Sequence, residues 1–522
     1  MNNTIRIFVS LLLFSSLGLK AQTTDYWVFL ENKNTADYSI ESDFTEKAIA
    51  RRNLQNIEFD ASDYPVNGIY QDQISAIVTE LVGASRWFNA AYVKATEEEI
   101  VKLTDLDFIR RIENALVPET SPFCDFETAS DELSSLESLM ITQLAMFYPN
   151  HFEEAGLTGK GVRIAVLDGG FPGVETHAAF EHIRKENRII DTYDFVKDEP
   201  NSYRGIQHGT MVLSNIAGKY NDKLLGLAPD AEFLLARTEK RTEPYKEEIY
   251  WMQAMEWADR KGADIINSSL GYTYHRYFQE DMDGKTSLVS QAANKAAEKG
   301  ILVVNAAGND GSSDWHYIGT PADADSILSI GGVNPDTYLH ISFSSFGPTA
   351  DGKMKPNLCA SGKAVVANKK GDYGISHGTS FASPLAAGFA ACAKQAFPEL
   401  SVMELKAKIE SAGSLYPYFD YAHGYGIPDA GKLLDKKSVE KTINIIDDDN
   451  EVVIRITDEV FKSLSVHDKS RLFYHIQDET GILTKYKVLE VQQQVPLSLS
   501  KENLKGKTLM LHYRGYSKSV AF

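Results

Sequence analysis

Three residues of this chain have the types that acyl-transfer chemistry needs, each where a fold can hold it rigid. Asp168 directly follows Ile164-Ala165-Val166-Leu167, so it ends a buried strand, and open α/β sheets put their sites at the carboxyl ends of such strands. His208 opens His208-Gly209-Thr210, leading into Met211, Val212 and Ile216 on a helical pattern. Ser380 lies in His377-Gly378-Thr379-Ser380-Phe381-Ala382-Ser383-Pro384 ahead of an Ala-rich helix. Pro384 is expected in that helix's first turn, where no intrahelical N–H is required. Singly, each residue has an ordinary reading: a strand-end cap, a hydrogen-bonded polar side chain, a helix N-cap. Together they fill three complementary roles. A serine hydroxyl is a weak nucleophile at its own pKa and needs a neighbouring base. The imidazole in turn needs a carboxylate to fix its tautomer and stabilise the imidazolium.

Such residues need a sheet to hold them. Residues 140–436 alternate short buried strands with helices, the pattern of a doubly wound, mostly parallel sheet. Val162 to Leu167 reads as one strand. Trp251, Ala254, Met255 and Ala258 line a helix face, and Gly262 stops that helix before a strand at Asp264 to Asn267. Val289, Ala292, Ala293 and Ala296 line the next helix, with Gly300 before a strand at Ile301 to Ala306.

The chain has 522 residues, 43% of them apolar and 24% charged, too many for a single core. A formal charge of −19 leaves no basic surplus for phosphates, so no nucleic-acid partner is expected. Residues 1–21 read as a signal peptide: Arg6, an apolar run from Ile7 to Leu19, and Ala21 before Gln22. That run is too short to span a bilayer and no later one is longer, so no transmembrane segment and a secreted protein are expected.

Residues 22–119 read as a small ferredoxin-like α+β unit. Strands are expected at Tyr26 to Leu30, Trp87 to Val93 and Phe108 to Ile112. Ile74, Ile77, Val78 and Leu81 recur at helical spacing before Gly83, and Thr96 with Glu99 forms a capping box. Residues 120–139 form an acidic, Ser-rich linker, and residues 437–522 a separate small β-domain. Cys124, Cys359 and Cys392 are too few for a disulfide framework, and Cys392 sits in an apolar stretch as a core residue.

These segments resemble the subtilase family. Supporting motifs follow in family order: Ala263-Asp264-Ile265-Ile266-Asn267-Ser268-Ser269-Leu270-Gly271, Val303-Val304-Asn305-Ala306-Ala307-Gly308-Asn309, Ser342 to Pro348, and Gly424-Tyr425-Gly426. The resemblance implies a secreted subtilisin-like serine endopeptidase with Asp168, His208 and Ser380 as its triad. It gives Asn309 and the Ser380 backbone N–H to the oxyanion. Ser269, Leu270, Gly271, Ala307 and Gly308 become walls, and Gly319 the floor, of the S1 pocket for the side chain before the scissile bond. No charged residue lies in those segments, so a large apolar side chain is expected there. Its partners are protein or peptide substrates and its own N-terminal unit, which resembles a propeptide that inhibits by laying its tail, Glu113 to Glu119, in the cleft. No cofactor is implied; subtilases can carry structural calcium, but no site for it is assignable.

Departures from the family are Met211, Phe381 and Leu385, all apolar and expected on buried helix faces, and Ala360-Ser361-Gly362 where the family has a proline. Other readings of the residues compete. Gly374-Ile375-Ser376-His377-Gly378, followed by Asp420 and His423, matches the nucleophile elbow of another hydrolase class, but polar loop precedes it. His177 and His182 around Glu181 are too far apart in register for a metal on one helix face. Asp447-Asp448-Asp449-Asn450 reads as a hairpin turn rather than a calcium loop. A catalytically silent secreted binding protein on the same scaffold is the alternative from another class; the four intact chemical residues speak against it.

Overall fold

The computed structural model describes residues 22–34, 38–115, 133–240, 246–273, 276–435, 439–457, 470–491 and 497–522. The expected signal peptide, residues 116–132 of the propeptide tail and linker, and Cys124 lie outside them.

The first unit runs β1 (Thr24–Leu30), α1 (Glu46–Leu54), α2 (Gly68–Ser75), β2 (Glu80–Ser85), β3 (Ala90–Ala95), α3 (Glu97–Leu103) and β4 (Ile109–Asn114). Its strands pair antiparallel in the order β2-β3-β1-β4, the ferredoxin-like arrangement. Helix α3 opens on the expected capping box, with Thr96 Oγ1 accepting from Glu99 N at 3.3 Å and Glu99 Oε2 accepting from Thr96 N at 2.9 Å. The helix expected through Leu81 is not formed. Helix α2 ends at Ser75, and Leu81 and Gly83 belong to β2. Ile74, Val78 and Leu81 still meet in one core, so apolar spacing alone could not separate a helix turn leading into a strand from a longer helix. Gly83 marks a register shift in the β2–β3 ladder instead of a helix stop.

Helix α4 (Leu133–Ala145) corrects the linker expected over residues 120–139, whose last residues are helical. Its Leu136, Leu139 and Met140 pack on Leu225, Val365 and Ile375. Serine and glutamate between them make the stretch look solvated, yet the three apolar residues share one helical face.

Seven strands then form an all-parallel sheet: β5 (Arg163–Asp168), β6 (Ile189–Asp194), β7 (Glu232–Arg237), β8 (Ile265–Ser268), β9 (Leu302–Ala306), β10 (Leu328–Val333) and β11 (Leu358–Ser361). Their order is β11-β10-β9-β8-β5-β7-β6. Helices cover both faces, as a parallel sheet demands. Helices α5 (His208–Ala217) and α8 (Thr379–Ala396) pack on Ile164, Val166 and Val304. Helices α6 (Lys246–Arg260) and α7 (Leu288–Glu298) pack on the opposite face through Ala165, Leu167 and Val303. The strand order reverses at β5, with β7 on one side and β8 on the other. Asp168 ends that strand, at the switch point where open sheets leave a crevice.

The N-terminal sheet lies on helix α6, its Trp27, Phe29, Trp87 and Tyr92 joining Trp251 and Met255 in one core. Buried charges cross the same junction. Arg52 pairs with Asp259 at 2.6 Å and with Asp63 at 2.8 Å, and Lys299 reaches Asp63 at 2.9 Å. The C-terminal strands form one three-stranded and one four-stranded sheet. There Asp447–Asn450 is a hairpin turn, with Asp448 N donating to Glu451 O at 3.0 Å. No helix among the described residues is long and apolar enough to cross a membrane.

Candidate active site

Asp168 is fully buried, and both its carboxylate oxygens face His208 Nδ1, at 2.9 and 3.0 Å. Oδ1 also accepts from Gly169 N at 2.7 Å. Two bonds from one carboxylate to Nδ1 fix the tautomer with the proton there and turn Nε2 into the basic nitrogen. Helix α5 can bring His208 this close only because Gly209 has no side chain. A Cβ there would stand 2.5 Å from Gly170 O and 3.0 Å from Asp168 Cβ.

The His208 ring lies against Phe381, with 5.7 Å between centroids, and Phe381 directly follows Ser380 in the chain. Ser380 is the second residue of α8, at the positive end of the helix dipole. Its hydroxyl lies 3.2 Å from Ser269 O, to which it donates. Gly378 just before the helix has φ +140°, ψ 155°, a conformation reserved for glycine, and this turns the chain sharply into the helix.

Pro384 is not in the first turn as expected; the helix begins at Thr379 and Pro384 lies inside it. Proline has no N–H, so the Ser380 carbonyl loses its intrahelical partner. Ser269 Oγ supplies one, donating to Ser380 O at 2.8 Å. Ser269 and Ser380 therefore exchange two hydrogen bonds, and the wall segment is tied directly to the candidate nucleophile.

Asn309 faces the same helix start. Its Oδ1 accepts from Thr379 N at 2.9 Å and Thr379 Oγ1 at 3.0 Å, so its amide NH2 points the other way. A Cβ on Gly378 would lie 3.5 Å from Asn309 Nδ2 and 3.7 Å from Ser380 N, so both donors border the space that this glycine leaves open. Two converging N–H groups beside a hydroxyl can stabilise a developing oxyanion.

The expected pocket residues converge as well. Tyr272 and Thr320 exchange backbone bonds of 2.8 and 3.1 Å, closing Ser269–Gly271 onto the segment that starts at Gly319. Ala307 is anchored to Ile330 O at 2.9 Å and Gly308 to Thr379 Oγ1 at 3.3 Å. Met211, Phe381 and Leu385 are buried, as expected of the apolar departures.

Sequence reading missed two asparagines. Asn267 Oδ1 accepts from Ser383 Oγ at 2.9 Å, locking α8 to β8, and Asn305 Nδ2 donates to Leu270 O at 3.0 Å, fixing the pocket wall. An amide near the end of an otherwise apolar buried strand was the available signal. Two other polar candidates have structural partners, and a third lies within a strand. His177 Nδ1 accepts from Ala179 N at 3.0 Å, and His182 Nε2 lies 3.1 Å from Ala217 O. Ser376 sits within the antiparallel strand Tyr373–His377, opposite Ala364, not at an elbow.

A doubly wound parallel sheet with an Asp–His pair and a helix-borne serine at its switch point defines an α/β serine hydrolase. Residues 159–426 match the subtilase family model, and residues 25–126 match the peptidase S8 propeptide domain of Bacteroidota. Subtilisin BL of Lederbergia lenta is 32% identical over 261 residues, covering 50% of this chain and 86% of that protein. Alkaline elastase YaB of Bacillus sp. (strain YaB) is 28% identical over 328 residues, covering 62% of this chain and 79% of that protein. A solved cold adapted subtilisin-like serine proteinase is 23% identical with a TM-score of 0.40, covering 52% of this chain and 88% of that one. The chain belongs to the subtilase family of serine peptidases.

Proposed function

We propose that this chain is a secreted endopeptidase, made as a zymogen, that cleaves peptide bonds through Asp168, His208 and Ser380. The observation that carries the reading is the pair of bonds from Asp168 to His208 Nδ1 beside a serine at the start of a helix. The Ser380 hydroxyl turns from the Ser269 carbonyl to His208 Nε2, gives up its proton there and attacks the scissile carbonyl. Asn309 Nδ2 and Ser380 N donate to the oxyanion, and His208 passes its proton to the leaving amine. Water then repeats the sequence on the acyl-enzyme. Ser269–Gly271, Ala307, Gly308 and Gly319 flank an apolar P1 side chain.

The zymogen reading is supported by the order of parts, a propeptide-type domain directly before the peptidase. Secretion is supported by the apolar, cleavable-looking residues 1–21. A fluorophosphonate probe tests the core of the reading. It is expected to label wild type once, at Ser380, and to leave Ser380→Ala unlabelled. A folded wild-type chain that resists the probe would instead be the silent binding protein.

A further inference from the structure

Next to the S1 floor lies a chain of polar side chains to which the proposed mechanism gives no part. Asp323, Thr320, Ser290 and Ser287 are all buried. Ser290, in the first turn of α7, donates to Asp323 Oδ1 at 2.5 Å, and its Oγ also lies 2.5 Å from Thr320 Oγ1. Thr320 Oγ1 in turn lies 2.7 Å from Ser287 Oγ, and Ser287 caps the same helix by accepting from Ser290 N at 3.4 Å. The other Asp323 oxygen accepts from Gly284 N at 2.7 Å. Burying a carboxylate is costly unless its oxygens are bonded. Here each oxygen has a donor, and both donors come from the stretch that opens α7.

The same residues reach the pocket. Thr320 directly follows Gly319, and its backbone exchanges two bonds with Tyr272, the residue after the wall segment. Gly319 O accepts from Asp323 N at 3.2 Å, so the floor also begins the turn that carries the carboxylate. A Cβ on Gly319 would stand 2.7 Å from Thr273 Cγ2 and 2.8 Å from Tyr272 O, so floor and wall are in close contact. Thr320 is therefore held twice: by the wall through its backbone, and by α7 and Asp323 through its hydroxyl. Helix α7 is itself fixed on the sheet through Val289, Ala292 and Ala293.

We propose that Asp323 is a positioning residue for the S1 pocket: its carboxylate holds Ser290, Ser290 holds the Thr320 hydroxyl, and helix α7 thereby sets the height of the floor. The proposal rests on the S1 reading above. A side chain that fills the pocket senses where the floor stands, and a methyl group that stops short of it does not. None of these bonds goes to Ser380, His208 or Asn309, so the tie acts on the choice between large and small P1 side chains and leaves the acyl-transfer steps alone. The tie needs hydrogen bonds rather than charge. An asparagine at 323 would accept from Gly284 N and donate from its NH2 to Ser290 Oγ, whose own hydrogen then turns to Thr320 Oγ1.

The test measures KM and kcat of the self-processed enzyme, per site titrated with the fluorophosphonate probe, on peptide anilides with Phe or Ala before the scissile bond. Wild type is expected to prefer Phe. Asp323→Ala is expected to raise KM for the Phe substrate about tenfold, the worth of one buried hydrogen bond, with kcat and the Ala substrate little changed. Thr320→Val removes only the hydroxyl at nearly constant volume and is expected to show the same rise, and the double variant no more than either alone. Asp323→Asn is expected to stay within about twofold of wild type. Equal losses on Phe and Ala in Asp323→Ala, or a fall confined to kcat, would mean a general structural role and overturn the proposal. Where Asp323→Ala yields no titratable enzyme, Thr320→Val decides, and a wild-type KM for Phe in that variant would overturn the proposal as well. A wild type that labels but does not distinguish Phe from Ala would overturn the S1 reading, and the proposal with it.

Discussion

Two Asp–His pairs sit in this molecule with nearly the same first contact. In one, His208 Nδ1 lies 2.9 and 3.0 Å from the Asp168 oxygens; in the other, His423 Nδ1 lies 2.9 and 3.1 Å from those of Asp420. Both aspartates are fully buried. The difference lies beyond the pair. His423 Nε2 accepts the His340 backbone N–H at 3.0 Å, so its lone pair is occupied. Its ring meets Phe473 of the β-domain edge-on at 5.6 Å, and Asp420 Oδ2 takes the Tyr418 hydroxyl at 2.9 Å. His475 of the same β-domain lies 2.5 Å from Phe419 O. The second pair is a tie between the peptidase and the C-terminal domain. A buried carboxylate on an imidazole is therefore not in itself catalytic. What matters is whether Nε2 looks toward a hydroxyl with oxyanion donors beside it.

The comparison breaks most sharply by deletion. Ser380→Ala and His208→Ala are each expected to lower kcat by about a millionfold, the size of the loss that the corresponding deletions cause in subtilisin. His423→Ala and Ser376→Ala are expected to keep kcat/KM of the folded enzyme within about twofold, since neither touches substrate. A His423 variant as inactive as the His208 variant would erase the distinction.

Next in size is Asn309→Ala, expected to lower kcat roughly 100- to 1000-fold with KM nearly unchanged. A change confined to KM would mean that its NH2 faces bound substrate and not the oxyanion.

On stability the order is reversed. His423→Ala leaves the buried Asp420 without the Nδ1–H donor that faces both its oxygens and is expected to cost about 3 kcal/mol in denaturant unfolding. A midpoint equal to wild type would remove the structural role.

The smallest effect is a pH dependence. Burial alone would raise the Asp420 pKa, but the hydrogen bonds it accepts from His423 and Tyr418 outweigh it and hold the carboxyl below its ordinary value. A depressed folded pKa contributes stability above the unfolded value, near pH 4, and that contribution is lost as pH falls through the folded value. Wild type is expected to lose about 1 to 2 kcal/mol more than His423→Ala between pH 5 and pH 2. Parallel acid limbs would show that His423 does not hold the Asp420 carboxyl below its ordinary value.

Much of this was legible in the residues. Asp168 after four apolar residues, His208 before a helical repeat and Ser380 before an Ala-rich run each carry their own local signal. The same holds for the helix and strand periods around them, because propensity and burial act within a few residues. Even the ferredoxin-like order of the first unit follows from local elements, although the Ile74-to-Leu81 spacing did not show where the helix ends.

Tertiary structure decided what depends on partners far along the chain. The Ser380 carbonyl orphaned by Pro384 finds the Ser269 hydroxyl 111 residues away, a repair no local pattern announces. Asp420 and His423 could be spotted as a pair, but only the arrival of the His340 N–H and Phe473 made them structural. Leu136, Leu139 and Met140 became helix α4 because Val365 and Ile375 offered them a core. Hydrogen bonds and burial between distant segments have no sequence period, so they are settled only when the fold brings the partners together.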